Sequence, residues 1–303
     1  CDQSARKMSA QQPDQDYQAL IAAESAIWSA AACALAAKWR PDWADMQRTR
    51  HYAVVDGGHI RRLLALVQPE QRVLEIGCAF GWLSLEMARR GAHVEGIDVA
   101  GEAIRLAQAY AESHPPRGSV RYRVADINYE PLPLAHYDLV VAIGVLHHLA
   151  EVRAVLERVH AALKPGGLLF VIDPLDTPTA NALIAGALLF LLPAQVSYRD
   201  KVRHLLRWRA QVVERMKASI EARGLSPFEG YGRPQAPLDA IRALFQIEQL
   251  RIYNAFTGYV IANLAAPEWL ATLIGRLLLP FDQLAVRARL LQGLSYKLLA
   301  RRA

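Results

Sequence analysis

Glu75, Gly77 and Gly81 stand in a Glu-x-Gly-x-x-x-Gly spacing within VLEIGCAFG, residues 73–81, an apolar run that reaches an acid and then breaks into a glycine-punctuated turn. Glycines in such a turn let the backbone approach a ligand closely. A dinucleotide fingerprint would need Gly-x-Gly-x-x-Gly, but Cys78, Ala79 and Phe80 separate the two glycines here. A Walker phosphate loop would continue with Lys and then Ser or Thr, whereas Gly81 is followed by Trp82. What remains is a turn that approaches a ligand without phosphates and carries a carboxylate, Glu75, at its entrance. Asp98 ends the next apolar run, AHVEGID, where a carboxylate accepts both hydroxyls of a ribose. Asp126, in VADI, follows the third run and is placed to take the exocyclic amine of an adenine. Each acid taken singly could equally cap a helix or a turn. Three of them after three successive runs suit an adenosine with a cationic, amine-bearing tail, and S-adenosylmethionine is such a ligand.

Methyl transfer from a sulfonium asks little of the protein beyond alignment, plus one general base if the acceptor atom carries a proton. His147 and His148, in GVLHHLA, follow the fourth apolar run at the same level and are the candidate bases. His51 and Tyr52 belong to a candidate lid over residues 43–59, for which a surface helix entry is the plainer reading. Cys78 has no charge partner beside it and reads as a small filler of the turn.

These residues need a scaffold whose strand ends converge. From residue 71 onward short apolar runs alternate with helical patterns: QRVLEI, AHVEGID, SVRYRVA, YDLVVAIG and GLLFVIDP as strands, WLSLEMARRG, AIRLAQAYAESH and EVRAVLERVHAAL as helices. Strands apolar throughout and separated by helices predict a doubly wound parallel sheet. Beyond Pro174 the spacing predicts helices over 175–238, two strands at FQIEQLRIYN and TGYVIANLA pairing antiparallel at the sheet edge, and helices from 267 to the end.

At VLEIGCAFGWLSLEMARRGAHVEGIDVA, VADINYEPLPLAHYDLVVAIGVLHHL and LKPGGLLFVIDP the chain resembles the class I methyltransferases, in their small-molecule branch similar to the ubiquinone and menaquinone biosynthesis type. The resemblance covers residues 71–174. It implies an α/β fold with a Rossmann-like, doubly wound, mostly parallel sheet of seven strands, the last antiparallel, carrying a helical insertion and C-terminal helices. It also implies that Glu75, Gly77 and Gly81 shape the methionine side of the pocket, that Asp98 binds the ribose, and that Asp126 with Ile127 frames the adenine. Cys78, Val99, Gly144 and Tyr52 complete the candidate cofactor contacts. The family usually has Gly-Thr or Gly-Ser where Ala79 and Phe80 stand. The His-His pair recurs in the family whatever the substrate, so a packing or helix-start role is the alternative for His147 and His148.

The expected organisation is an N-terminal helical lid over 1–56, a cofactor-binding core over 57–174, a substrate-binding insertion over 175–238, edge strands over 239–266 and amphipathic helices over 267–303. The expected activity is methyl transfer from S-adenosylmethionine, with S-adenosylhomocysteine as product, to a small hydrophobic acceptor through O, N or C. The alternatives are an RNA or protein methyltransferase, or a non-catalytic binding module.

At 303 residues, 53% apolar and 21% charged, the chain is globular in composition. Cys1, Cys33 and Cys78 lack metal-ligand spacing and cannot all pair, which points to a reducing compartment and no metal. A chain opening on Cys1 fits a mature lipoprotein, yet a trimmed start or a numbering offset is the preferred explanation. The reading expects no membrane-spanning segment: the helix pattern over 17–38 carries Glu24, and the apolar run 182–192 falls well short of the ~20 residues required. Charge is uneven, with 18 Lys and Arg against 20 Asp and Glu up to residue 173, but 17 against 9 beyond it. A basic half with long apolar helical faces suits an anionic, lipid-like substrate or a peripheral membrane contact, and an ordinary buried helix beside a solvated charged face, or packing on the sheet or a second subunit, is the plainer alternative. Basic residues without interleaved aromatics give no stacking platform for nucleic acid. The expected location is the cytoplasm, in part at the membrane surface.

Overall fold

The computed structural model describes residues 15–201, 228 and 235–302. Cys1 and most of the basic stretch 200–224 lie outside the described residues. The chain opens with α1 (Gln15–Ala36), a short α2 (Trp43–Met46), a π-helical turn (Tyr52–Asp56) and α3 (Gly57–Leu66). An alternating core follows: β1 (Arg72–Ile76), α4 (Trp82–Arg89), β2 (His93–Asp98), α5 (Gly101–Ser113), β3 (Ser119–Val124), β4 (Tyr137–Ile143), α6 (Val152–Ala162) and β5 (Leu163–Pro174). After it come α7 (Thr179–Leu191), α8 (Ala236–Leu244), β6 (Gln246–Tyr253), α9 (Thr257–Ala262), α10 (Glu268–Arg287) and β7 (Ser295–Arg301).

The seven strands form one sheet in the order β3-β2-β1-β4-β5-β7-β6, with β7 antiparallel to both neighbours and the others parallel. β1 and β4 lie side by side, Val73 beside Leu139, and the chain winds outward from them in both directions. That reversal opens a crevice at the carboxyl ends of the strands. Central strands bury both faces, which is why VLEI and LVVA read as unbroken apolar runs. On one face Leu74, Val140 and Val171 pack against Val155, Leu156 and Val159 of α6 and Ile241 of α8. On the other, Val73, Val141 and Phe170 meet Ile60 and Leu63 of α3 and Leu83 and Met87 of α4.

Two elements differ from the sequence reading. TGYVIANLA predicts a strand but forms α9, because the Asp282 carboxylate accepts the backbone N–H groups of Ala255, Phe256 and Thr257 at 3.0, 2.9 and 2.8 Å and so caps a helix start. The C-terminal region, read as helical throughout, ends in β7. Its Tyr296, Leu298 and Ala300 enter one core and Leu299 the other, a period-2 pattern inside a Leu-rich stretch.

By length and composition α1 and α10 are apolar enough to cross a membrane. Each is nevertheless tied into the domain by polar side chains. Tyr17 of α1 donates to Asp126 at 2.7 Å, and Asp282 of α10 is fully buried on the α9 backbone.

Candidate functional site

The strand ends place the predicted residues around one cavity, lined by Gly77 after β1, Asp98 and Val99 after β2, Asp126 and Ile127 after β3, and Gly144 after β4. Opposite the strand ends α1 contributes Ile21, Glu24, Trp28 and Leu35, and the loop after β4 adds Val145, His148 and Leu149. The cover is therefore α1. Residues 43–59 lie to the side, where the rings of Trp43 and Tyr52 pack on Trp82 at 5.4 and 5.1 Å.

The turn between β1 and α4 depends on its glycines. Gly77 has φ +72 and Gly81 φ +82, and a Cβ would meet Val145 Cγ2 at 2.7 Å in the first case and Ala107 Cβ at 2.6 Å in the second. Ala79, between them, also takes a positive φ of 46. Its N–H reaches Asp98 Oδ2 at 2.8 Å, while the Ala100 N–H reaches Oδ1 at 2.8 Å. Each Asp98 oxygen thus keeps a lone pair for a ligand hydroxyl. Burial raises the Asp98 carboxyl, opposed by the backbone N–H groups of Ala100, Ala79 and Val99.

Asp126 is held differently. Its Oδ1 accepts from the N–H and side-chain amide of Asn128 at 3.0 and 2.9 Å, and its Oδ2 accepts from Tyr17 of α1. Glu75 lies beneath the turn and off the cavity wall, accepting from the Ser84 hydroxyl. Burial pushes its carboxyl up to about 8, with the Ser84 contacts lowering it and Asp98 raising it. Gly81 and Tyr52 also lie outside the cavity lining. The Cys78 side chain is buried with Leu85, Ile104 and Tyr122, and burial holds its thiol well above the usual range. It fills space there.

The two histidine rings pack at 3.9 Å between centroids but have different partners. His147 is partly exposed, and its Nδ1 lies 2.9 Å from Oδ1 of Asp173, a fully buried acid near the end of β5. With Asp173 ionised, Nδ1 is the donor in that contact and Nε2 is the acceptor nitrogen; His147 is not among the residues that line the cavity. Burial raises the Asp173 carboxyl, with the His147 hydrogen bond opposing it. His148 is buried in the cavity wall, 3.5 Å from Glu24 Oε1 and edge-on to Trp28. Burial, and then the neighbouring His147, push its imidazole down to about 3. It is neutral at physiological pH.

Sequence reasoning passed over Asp173, although it sits at a strand end like Asp98 and was visible in VIDP. It also passed over Tyr17 and over Glu24 as a wall residue, and no local pattern marks either. His51 and Asp56 form a further pair at 2.7 Å, with Tyr253 donating to the other Asp56 oxygen at 2.6 Å. Among the described residues no His, Cys, Asp and Glu group has the makings of a metal site.

Residues 73–167 match a family described as a methyltransferase domain. The chain is 34% identical over 127 residues to an uncharacterised methyltransferase of Mycobacterium bovis, covering 41% of this chain and 62% of that protein. It is 35% identical over 144 residues to a ubiquinone biosynthesis O-methyltransferase of Leptothrix cholodnii, covering 45% of this chain and 61% of that one. The chain thus spans under two thirds of the length of these curated relatives. Among solved structures, geranyl diphosphate C-methyltransferase from Streptomyces coelicolor aligns with a TM-score of 0.52 at 14% identity, over 82% of this chain and 77% of that one. At that identity the likeness shows the fold.

Proposed function

We propose, from the premise that this chain carries a class I S-adenosylmethionine-dependent methyltransferase domain, that the protein transfers a methyl group to a small hydrophobic acceptor. The observation that carries the reading is the convergence of Asp98, Asp126 and the glycine turn on one cavity at the strand ends. The donor set fits the cofactor: two acceptor oxygens on Asp98 for ribose hydroxyls, an acid and the buried Ile127 beside the adenine position, and backbone at Gly77 and Gly144 that presents no side chain.

When bound, S-adenosylmethionine supplies a methyl group already activated on a sulfonium. Asp98 orients the ribose through charge-assisted hydrogen bonds. Glu75, beneath the turn and bonded by Ser84, would support the turn that holds the methionine side. Nε2 of His147 takes the proton of the acceptor, and Asp173 fixes the tautomer and stabilises the imidazolium. His148 packs the cavity wall, since an imidazole with its pKa near 3 is a poor base at neutral pH.

A hydrophobic acceptor is favoured by the apolar α7, which leaves Leu183, Ile184 and Leu191 exposed, and by the relative that serves ubiquinone biosynthesis. The protein would act in the cytoplasm, without nucleic acid as substrate. Incubation with methyl-labelled cofactor and fractionated lipid and small-molecule extracts tests it. Labelled small product together with S-adenosylhomocysteine is expected. Label appearing only in RNA or protein would contradict the acceptor class, and tight cofactor binding without turnover on any fraction would contradict catalysis.

A further inference from the structure

Trp269, Leu273, Leu277, Phe281 and Leu284 follow one another at i,i+4 and i,i+3 spacing along α10, which places them on one stripe of the helix. All five point to solvent, at 68, 49, 63, 67 and 63% exposure. A water-soluble surface rarely leaves so long a row of large apolar side chains uncovered.

The rotation of α10 is fixed by its other face. Asp282, at 0% exposure, holds three backbone N–H groups around the start of α9. Gly275 lets the helix lie so close that a Cβ would come within 2.8 Å of Ile261 and 3.0 Å of Val54. Glu268 receives the Arg50 backbone N–H at 2.7 Å and its Nε at 3.0 Å. The stripe faces outward because these contacts hold the opposite side inward.

Charge narrows what covers it. The only acids on α10 are Glu268, paired with Arg50, and the buried Asp282. The outward charges are Arg276 and Arg287, with Arg289 just past the helix end, all exposed. A second copy meeting this face across a two-fold axis would bring the same arginines together. An anionic surface would neutralise them.

We propose that α10 is a docking surface for an anionic lipid bilayer. It lies in the plane of the interface, with Trp269, Leu273, Leu277, Phe281 and Leu284 at the acyl boundary and Arg276, Arg287 and Arg289 at the phosphate head groups. Crossing the bilayer is disfavoured, since it would pull Asp282 off its three donors and strand a carboxylate in hydrocarbon. This inference is independent of the methyl-transfer reading.

The test is sedimentation of the full chain with vesicles of phosphatidylcholine alone and of phosphatidylcholine mixed with phosphatidylglycerol. Deleting residues 267–303 would remove β7 from the sheet, so point variants at exposed positions are the proper probes. The wild type should bind the mixed vesicles at low salt, weakly or not at all the neutral ones, and release as salt rises. Leu277→Asp with Phe281→Asp should cost at least about tenfold in vesicle affinity while leaving thermal melting unchanged. Arg276→Glu with Arg287→Glu should abolish the preference for anionic lipid. Absence of binding to both vesicle types at low salt would overturn the proposal, as would a double-aspartate variant that binds like wild type. A wild-type dimer in light scattering that Leu277→Asp converts to monomer would assign the face to a second copy instead.

Discussion

His147 pairs through Nδ1 with the buried Asp173, whereas the adjacent His148 lies in the cavity wall beside Glu24 and Trp28. The two should therefore fail differently. His147→Ala should lower kcat about 10²-fold or more with cofactor affinity unchanged, and Asp173→Asn should lower kcat in the same manner by removing the charge that stabilises the imidazolium. His148→Ala should instead weaken cofactor binding, since its ring forms part of the cavity. Steady-state kinetics beside calorimetry separates these outcomes, and equal kcat in wild type and His147→Ala would remove the base. Glu75 carries a second residue-scale prediction. Its folded pKa, about 8, lies above the ordinary 4.5, so the ligand-free fold binds the proton more tightly than the unfolded chain. That contribution is fully present below about 4.5 and is lost as pH rises through about 8. Thermal melts should fall over this window in wild type and show less of that slope in Glu75→Gln.

At the scale of elements, α1 is the part of the site that spacing alone did not reveal. Its contacts with the core, Tyr17 to Asp126 and Glu24 to His148, join residues more than a hundred positions apart. Tyr17→Phe removes one partly buried hydrogen bond of roughly 1 kcal/mol, and hydrogen exchange over residues 15–36 should accelerate while the sheet stays protected. Unchanged exchange there would show that α1 is held without the Tyr17 hydrogen bond. The alternating core was legible because its strands are apolar on both faces and its helices periodic, and the acids at the strand ends followed from that alternation. The C-terminal third was not, for a physical reason. TGYVIA carries β-branched residues that favour a strand, but Asp282, from a later helix, caps it as α9. SYKLLAR becomes a strand because β5 and β6 leave a slot between them. Both outcomes depend on partners remote in sequence. Asp282→Ala should consequently destabilise the fold by on the order of 3 kcal/mol, with three buried donors left unmet, as read by denaturant unfolding. A change under about 0.5 kcal/mol would show that the cap is dispensable.

For the molecule as a whole, the sheet brings two acids, Asp98 and Asp126, from separate strand ends to one cavity, α1 closes it, and the C-terminal elements complete the sheet and turn an apolar, basic face outward. The sign of the charge imbalance was evident in the sequence, but its placement on the exposed side of α10 was not, since the buried Asp282, Gly275 and the Glu268–Arg50 pair fix which way that helix faces. Asp98 is the residue on which the central claim rests, because it alone offers paired oxygens at the β2 end. Isothermal titration of the wild type and of Asp98→Ala with S-adenosylmethionine, beside a nicotinamide dinucleotide as control, is the most direct measurement. The wild type should bind the first ligand and ignore the second, and the substitution should cost roughly 1.5 to 3 kcal/mol of cofactor affinity. Wild-type affinity retained in Asp98→Ala, or heat from the dinucleotide alone, would contradict the account.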